Sequence, residues 1–107
     1  MLLKDKVAIV TGAGQGIGAS VAAAFAQQGA QVAVIDMNIE AAEQTAAAIR
    51  GAGGSAQGFS CNVADRPQVD AMATQVSARF SRVDILVNNA GITRPAMLHK
   101  MTAQQWQ

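Results

Sequence analysis

Hydrophobic positions along this chain follow two habits in alternation. Val7-Ala8-Ile9-Val10 and Val32-Ala33-Val34-Ile35 are unbroken apolar runs. They are too short for helices and have the character of strands covered on both faces. Between them Ile17, Val21 and Phe25 recur at every fourth position, the spacing of a helix's buried stripe, and the stripe closes near Gly29. The exchange repeats downstream. Asn38 is placed to cap a second helix with Ile39, Ala42, Ala46 and Ile49 on its apolar face, ended by Gly51, Gly53 and Gly54. A third strand is expected from Ala56 to Cys61, with Gly58 interrupting its pattern. Asp65 then caps a third helix, with Pro67 in its first turn and Gln68 at the capping-box position. Val69, Met72, Ala73, Val76 and Phe80 form its buried stripe, and a fourth strand covers residues 83–87.

This βαβαβαβ order predicts an α/β fold, a doubly wound parallel sheet with right-handed crossovers and helices on both faces. If the fourth strand lies beside the first, the strand order is 3-2-1-4 and a ligand crevice opens between strands 1 and 4. The last stretch breaks the rhythm. Thr102-Ala103-Gln104-Gln105 is a capping-box pattern, yet only Trp106 and Gln107 follow it, too little for a helix to nucleate. Residues 1–107 are therefore expected to be the N-terminal part of a single domain, cut at the start of a helix near Thr102.

Composition narrows the class of partner. Eight basic and seven acidic residues give a net charge of +1, which offers no electrostatic footprint for nucleic acid or an acidic membrane. The single cysteine, Cys61, excludes an intramolecular disulfide and a thiolate zinc site. Charge near the N-terminus and apolar runs far below the ~20 residues that span a bilayer suggest a cytoplasmic protein. His99, the only histidine, reads as a surface loop residue, Cys61 as a buried small apolar side chain and Arg94 as a solvated cation. Met97 and Met101 suit packing or a substrate entrance.

The candidate chemistry sits in the loop after the first strand. Gly12, Gly14, Gly16 and Gly18 occupy alternate positions there. A tight turn, close backbone approach to a pyrophosphate and helix packing on the strand all require glycine. The amides around Gln15 to Ile17 then present donors and the positive end of a helix dipole to phosphates. Asp36 ends the next strand 18 residues after Gly18, where a carboxylate can accept from both hydroxyls of a ribose. A 2′-phosphate beside that acid would be repelled. Gln15 and Met37, in the places where a neutralising cation is expected, carry no charge. NAD is favoured over NADP.

Three segments together resemble the short-chain dehydrogenase/reductase family. Thr11-Gly12-Ala13-Gly14-Gln15-Gly16-Ile17-Gly18 matches its TGxxxGxG loop, and Asn88-Asn89-Ala90-Gly91 its NNAG segment. Asn62-Val63-Ala64-Asp65 is similar to its adenine-holding element. The resemblance spans essentially the whole chain. It implies a Rossmann-type sheet in which Gly12, Gly14, Gln15, Gly16 and Ile17 bind the pyrophosphate and Asp36 the adenine ribose. Asn62 and Val63 would contact the adenine, and Asn89, Ala90 and Gly91 the nicotinamide-side ribose. Asn62 stands where the family commonly has aspartate, a change read as tolerated because an amide can also meet the adenine amino group. Residues from Gly91 to Trp106 look like the 3-oxoacyl-[acyl-carrier-protein] reductase branch, which normally uses NADPH and is thus at odds with Asp36.

The family's reaction also needs a tyrosine acid/base with a lysine, a serine and an asparagine, all beyond the matched segments. This chain has no tyrosine. The 107 residues are therefore expected to be inactive alone, within a longer NAD-dependent enzyme acting on a secondary alcohol, a ketone or an acyl thioester. The resemblance further implies a homo-oligomer, dimer or tetramer. Two other readings differ in class. An S-adenosylmethionine-dependent methyltransferase would usually have an acid where Thr11 ends the first strand, and it gives Asn88 to Gly91 no role. A non-catalytic nucleotide-binding fragment would expose the fourth strand as an open, aggregation-prone edge.

Overall fold

The computed structural model describes residues 2–89 and the backbone of residues 98–100. Eight elements run in the order β1 (Val7–Thr11), α1 (Gly16–Gln27), β2 (Gln31–Asp36), α2 (Ile39–Gly51), β3 (Ser55–Ser60), α3 (Arg66–Phe80), β4 (Ile85–Asn88) and β5 (Leu98–Lys100). The sheet order is β3-β2-β1-β4-β5. The first four strands are parallel, so the doubly wound arrangement and its 3-2-1-4 order stand as expected.

Alternation of side chains along each strand divides the core into two layers. Ala8, Val10, Val32, Val34, Ile85 and Val87 meet α1 and α2 through Ala22, Ala42, Ala46 and Ile49. Val7, Ile9, Ala33, Ile35 and Leu86 meet α3 through Met72, Val76 and Phe80. Both faces of β1 and β2 are therefore buried, which is why these strands show as continuous apolar runs. Alanine-rich helices sit close to the sheet. Gly58 permits a close approach: a Cβ there would fall 2.7 Å from Glu43 Oε1 and 3.0 Å from the Ala42 carbonyl carbon. The glycine that obscures the third strand in the sequence is the one that lets α2 lie over it.

Several expectations need correction. Ile17 and Ile39 are assigned by periodicity to buried stripes, yet they are 74% and 44% exposed. Each occupies the first turn of its helix, and neither joins the apolar clusters packed on the sheet. The fourth strand is also not an open edge. Backbone of β5 pairs antiparallel with it, Leu86 opposite His99, so the edge expected to be unprotected is hydrogen-bonded. His99 accordingly lies in a strand and not in a loop. The expected helix near Thr102, with Arg94, Met97 and Met101, lies outside the described residues. No helix among the described residues is long and apolar enough to cross a membrane.

At the amino end of the sheet, Asp84 joins β4 to β1. Its Oδ2 accepts from the Val7 N–H at 2.9 Å, and its own N–H donates to the Val7 carbonyl at 2.9 Å. Arg82 donates to Oδ1. Burial alone would raise this carboxyl's pKa. The hydrogen bonds from Arg82 and Val7, with the charges of Arg82 and Lys6, hold it below the usual carboxylate range. A depressed folded-state pKa gives stability that is present above the unfolded value, about 3.9, and lost as pH falls through the folded value. Asp84→Asn should therefore lower stability at neutral pH by about 1 kcal/mol. Denaturant titrations over a pH series should show the gap between parent and variant closing below about pH 4. A gap constant down to the acid limit would contradict this linkage.

Candidate functional site

The carboxyl ends of β1, β2, β3 and β4 converge on one edge. From β1 the chain passes to α1 on one face. Residues returning through α3 on the other face reach β4, which pairs with β1 from Ala8↔Ile85 to Thr11↔Asn88. Neighbouring strands whose connections leave on opposite faces open a crevice at this point.

Thr11 closes the floor of the crevice. It is 1% exposed. Its hydroxyl donates toward Asn88 Oδ1 at 3.1 Å and accepts from the Asn89 N–H at 2.9 Å. Asn89 Nδ2 in turn reaches the Gly12 carbonyl at 3.4 Å. The two segments expected at opposite ends of the dinucleotide, the glycine loop and Asn88-Asn89, are thus tied through one buried hydroxyl. Thr11 is absent from the residues expected to act at the site. The available signal was a hydroxyl terminating an otherwise apolar strand.

The loop itself is shaped by two left-handed residues, Gly12 and Gly16, each at φ 63°. Gly18 serves close packing. A Cβ on it would lie 2.2 Å from the Gly12 carbonyl oxygen and 2.9 Å from Asn89 Nδ2. At Gly14 a Cβ would fall 2.7 Å from both Asp36 Oδ2 and Ala41 Cβ. Thr45 on α2 donates to the Gly14 carbonyl at 3.2 Å, a contact without local sequence signature.

The helix starts differ. Asn38 Oδ1 caps α2 through the Glu40 and Ala41 N–H groups at 2.9 and 3.3 Å, and Asp65 caps α3 through Gln68 N–H. By contrast α1 begins after Gln15 with no side-chain cap and no acid in its first turn. Its first amides and dipole therefore face the crevice with no anionic side chain of the helix's own. Gln15, Gly16 and Ile17 are all exposed there.

Asp36 stands beside this loop. Its Oδ2 accepts from the Gly14 N–H at 3.0 Å and its Oδ1 from the Asn38 N–H at 3.0 Å. Each oxygen retains a lone pair for a further donor, so the carboxylate is held in one orientation while still able to accept from a diol. Met37, the next residue, is 69% exposed. The Cys61 N–H donates to the Asp36 carbonyl at 3.1 Å, which sets Asn62 and Val63, both half-buried, just past Asp36. Cys61 itself is buried. Burial, and secondarily the charge of Asp65, pushes its thiol pKa up, leaving it a poor nucleophile. Ala90 and Gly91 lie outside the described residues. The others, from Gly12 to Asn89, are brought to a single edge.

Similarity to known proteins agrees with this geometry. The profile of the short chain dehydrogenase family matches residues 6–107. The chain belongs to that family. It is 49% identical over 104 residues to D-threitol dehydrogenase of Mycolicibacterium smegmatis, covering 97% of this chain and 40% of the relative. It is 39% identical over 106 residues to the 3-oxoacyl-[acyl-carrier-protein] reductase FabG of Thermotoga maritima, covering 99% and 43%. Among solved structures, a metagenomic short-chain oxidoreductase in complex with NADP superposes with a TM-score of 0.82. It is 38% identical over 86% of this chain and 42% of its own. The chain thus spans about two fifths of the length of these relatives. Membership of this family of oxidoreductases displaces the methyltransferase alternative.

Proposed function

We propose that the protein containing this chain transfers hydride between NAD and a secondary alcohol or ketone, and that its alcohols are polyols. The observation carrying the cofactor reading is Asp36, fixed by the Gly14 and Asn38 N–H groups beside an uncapped α1. A carboxylate so placed favours ribose hydroxyls and repels a 2′-phosphate. A family structure holding NADP indicates that phosphate is tolerated elsewhere in the family. Asp36, flanked by uncharged Gln15 and Met37, is the reason for the opposite assignment here.

When bound, the dinucleotide supplies the hydride donor or acceptor. The residues of this chain bind and orient. Gly12, Gly14, Gln15, Gly16 and Ile17 meet the pyrophosphate, Asp36 the adenine ribose, and Asn62 and Val63 the base. Asn89, with Ala90 and Gly91, meets the nicotinamide-side ribose. None is suited to move a proton at a substrate oxygen, and there is no tyrosine. Residues 1–107, as the N-terminal part of one dinucleotide-binding domain, are accordingly proposed to bind nucleotide without turnover. The tyrosine acid/base then belongs to the remainder of the protein, a cytoplasmic homo-oligomer.

The polyol reading rests on the 49% identity to a threitol dehydrogenase against 39% to a 3-oxoacyl reductase. Steady-state assays of the full-length protein with four-carbon polyols and a 3-oxoacyl thioester, each with both cofactors, test it. Polyol oxidation with NAD should exceed that with NADP by about tenfold or more in kcat/KM. Turnover confined to the thioester with NADPH would overturn both substrate and cofactor assignments.

A further inference from the structure

Thr45 lies inside α2 but does not behave as a helix-interior threonine usually does. Such a hydroxyl ordinarily donates back to the carbonyl four residues earlier, as Thr74 on α3 donates to the Asp70 carbonyl at 3.0 Å. Thr45 instead reaches across to the Gly14 carbonyl at 3.2 Å, 31 residues away in sequence. Threonine is also a poorer helix former than Ala46, Ala47 and Ala48, which follow it. The position gives up local helix stability, and what it holds is the glycine loop.

That loop is fixed from β2 and α2, one residue after another. The Ala13 N–H donates to the Ile35 carbonyl at 2.9 Å, and the Gly14 N–H to Asp36 Oδ2 at 3.0 Å. The Gly14 carbonyl then accepts from Thr45. After it, Gln15 makes no hydrogen bond to another element among the described residues, and α1 starts without a side-chain cap. The Thr45 bond is therefore the last hydrogen bond from another element before α1 begins. The peptide between Gly14 and Gln15 is trans, so its C=O and N–H point in opposite directions. With the carbonyl on Thr45, the Gln15 N–H is turned away from α2. We propose that Thr45 is a positioning residue for the dinucleotide. By holding this peptide in one orientation, it sets the direction in which the first amides of α1 meet the pyrophosphate. The inference rests on the crevice being a dinucleotide site and deepens that reading.

Calorimetric titration of the full-length protein with NAD, in the parent and in three variants, tests it. Thr45→Val and Thr45→Ala remove the hydroxyl, and each should raise the dissociation constant by about three- to tenfold. That is the factor by which one neutral hydrogen bond favours the competent loop over its alternatives. Thr45→Ser keeps the hydroxyl and should stay within about twofold of the parent. Thermal melts distinguish positioning from general damage. Alanine is the better helix former, so Thr45→Ala should melt close to the parent while binding NAD more weakly. In steady state the KM for NAD should rise with kcat unchanged, since Thr45 touches no reacting group. A folded Val or Ala variant that binds NAD as the parent does overturns the proposal. So does a Ser variant as weak as the other two, and either result leaves the dinucleotide reading standing. Failure of the parent to bind NAD overturns that reading and the proposal with it.

Discussion

Gly18→Ala should destabilise the folded protein by about 3 kcal/mol, toward the upper end of the range for overpacking, and should weaken dinucleotide binding as well. The added methyl carbon would stand 2.2 Å from the Gly12 carbonyl oxygen and 2.9 Å from Asn89 Nδ2. The first of these is backbone and cannot swing aside. Gly12 is at φ 63° at the head of the loop, so relief must come from moving α1 away from β1. That displacement carries the first amides of α1 off the crevice and breaks the 3.4 Å contact from Asn89. Stability and binding therefore fall together. Gly51→Ala provides the contrast. Nothing lies within 4 Å of a Cβ there, and Gly51 is inside α2. That exchange should stabilise by about 0.4–1 kcal/mol through the unfolded chain's lost freedom. Denaturant melts of both variants check the pair, and equal effects would contradict the packing argument.

Asp36→Ala should act mainly on binding. The side chain holds the Gly14 and Asn38 N–H groups at 3.0 Å each. The Gly14 amide is part-buried and the Asn38 amide exposed, so water can replace much of what is lost. The expected loss of stability is about 1 kcal/mol. In the proposed complex the same carboxylate accepts from two ribose hydroxyls. Charged acceptors contribute about 1.5–3 kcal/mol per hydrogen bond, so with two such bonds NAD affinity should fall by roughly 10²–10⁴-fold. NADP affinity should hold or improve, since the repelling charge is gone. Parallel titrations with both cofactors distinguish this from general damage to the loop, which would weaken both alike.

Much of the fold was legible because the strands of a doubly covered parallel sheet have no polar face. Val7 to Val10 and Val32 to Ile35 show this plainly, and Asn38 and Asp65 cap the helices they were expected to cap. Periodicity failed at Ile17 and Ile39, which lie in the first turns of their helices and stay exposed. It also failed for Leu98-His99-Lys100, three residues of mixed polarity made into a strand by pairing with β4. No local pattern encodes such a partner. The site divides similarly. The glycine loop and Asp36 could be read because backbone chemistry demands those residue types at that spacing. The Thr11 link to Asn89, the Thr45 contact to Gly14 and the Gln68 anchor on Asn62 are tertiary, and they become visible only when the chain is folded.

The most direct test of the central claim is a pair of calorimetric titrations of the full-length protein, one with NAD and one with NADP. The crevice beside Asp36 predicts saturable binding of NAD, with a dissociation constant at least about tenfold lower than that for NADP. Equal affinities, or tighter binding of NADP, would contradict the role assigned to Asp36. Absence of binding by either would contradict the site itself.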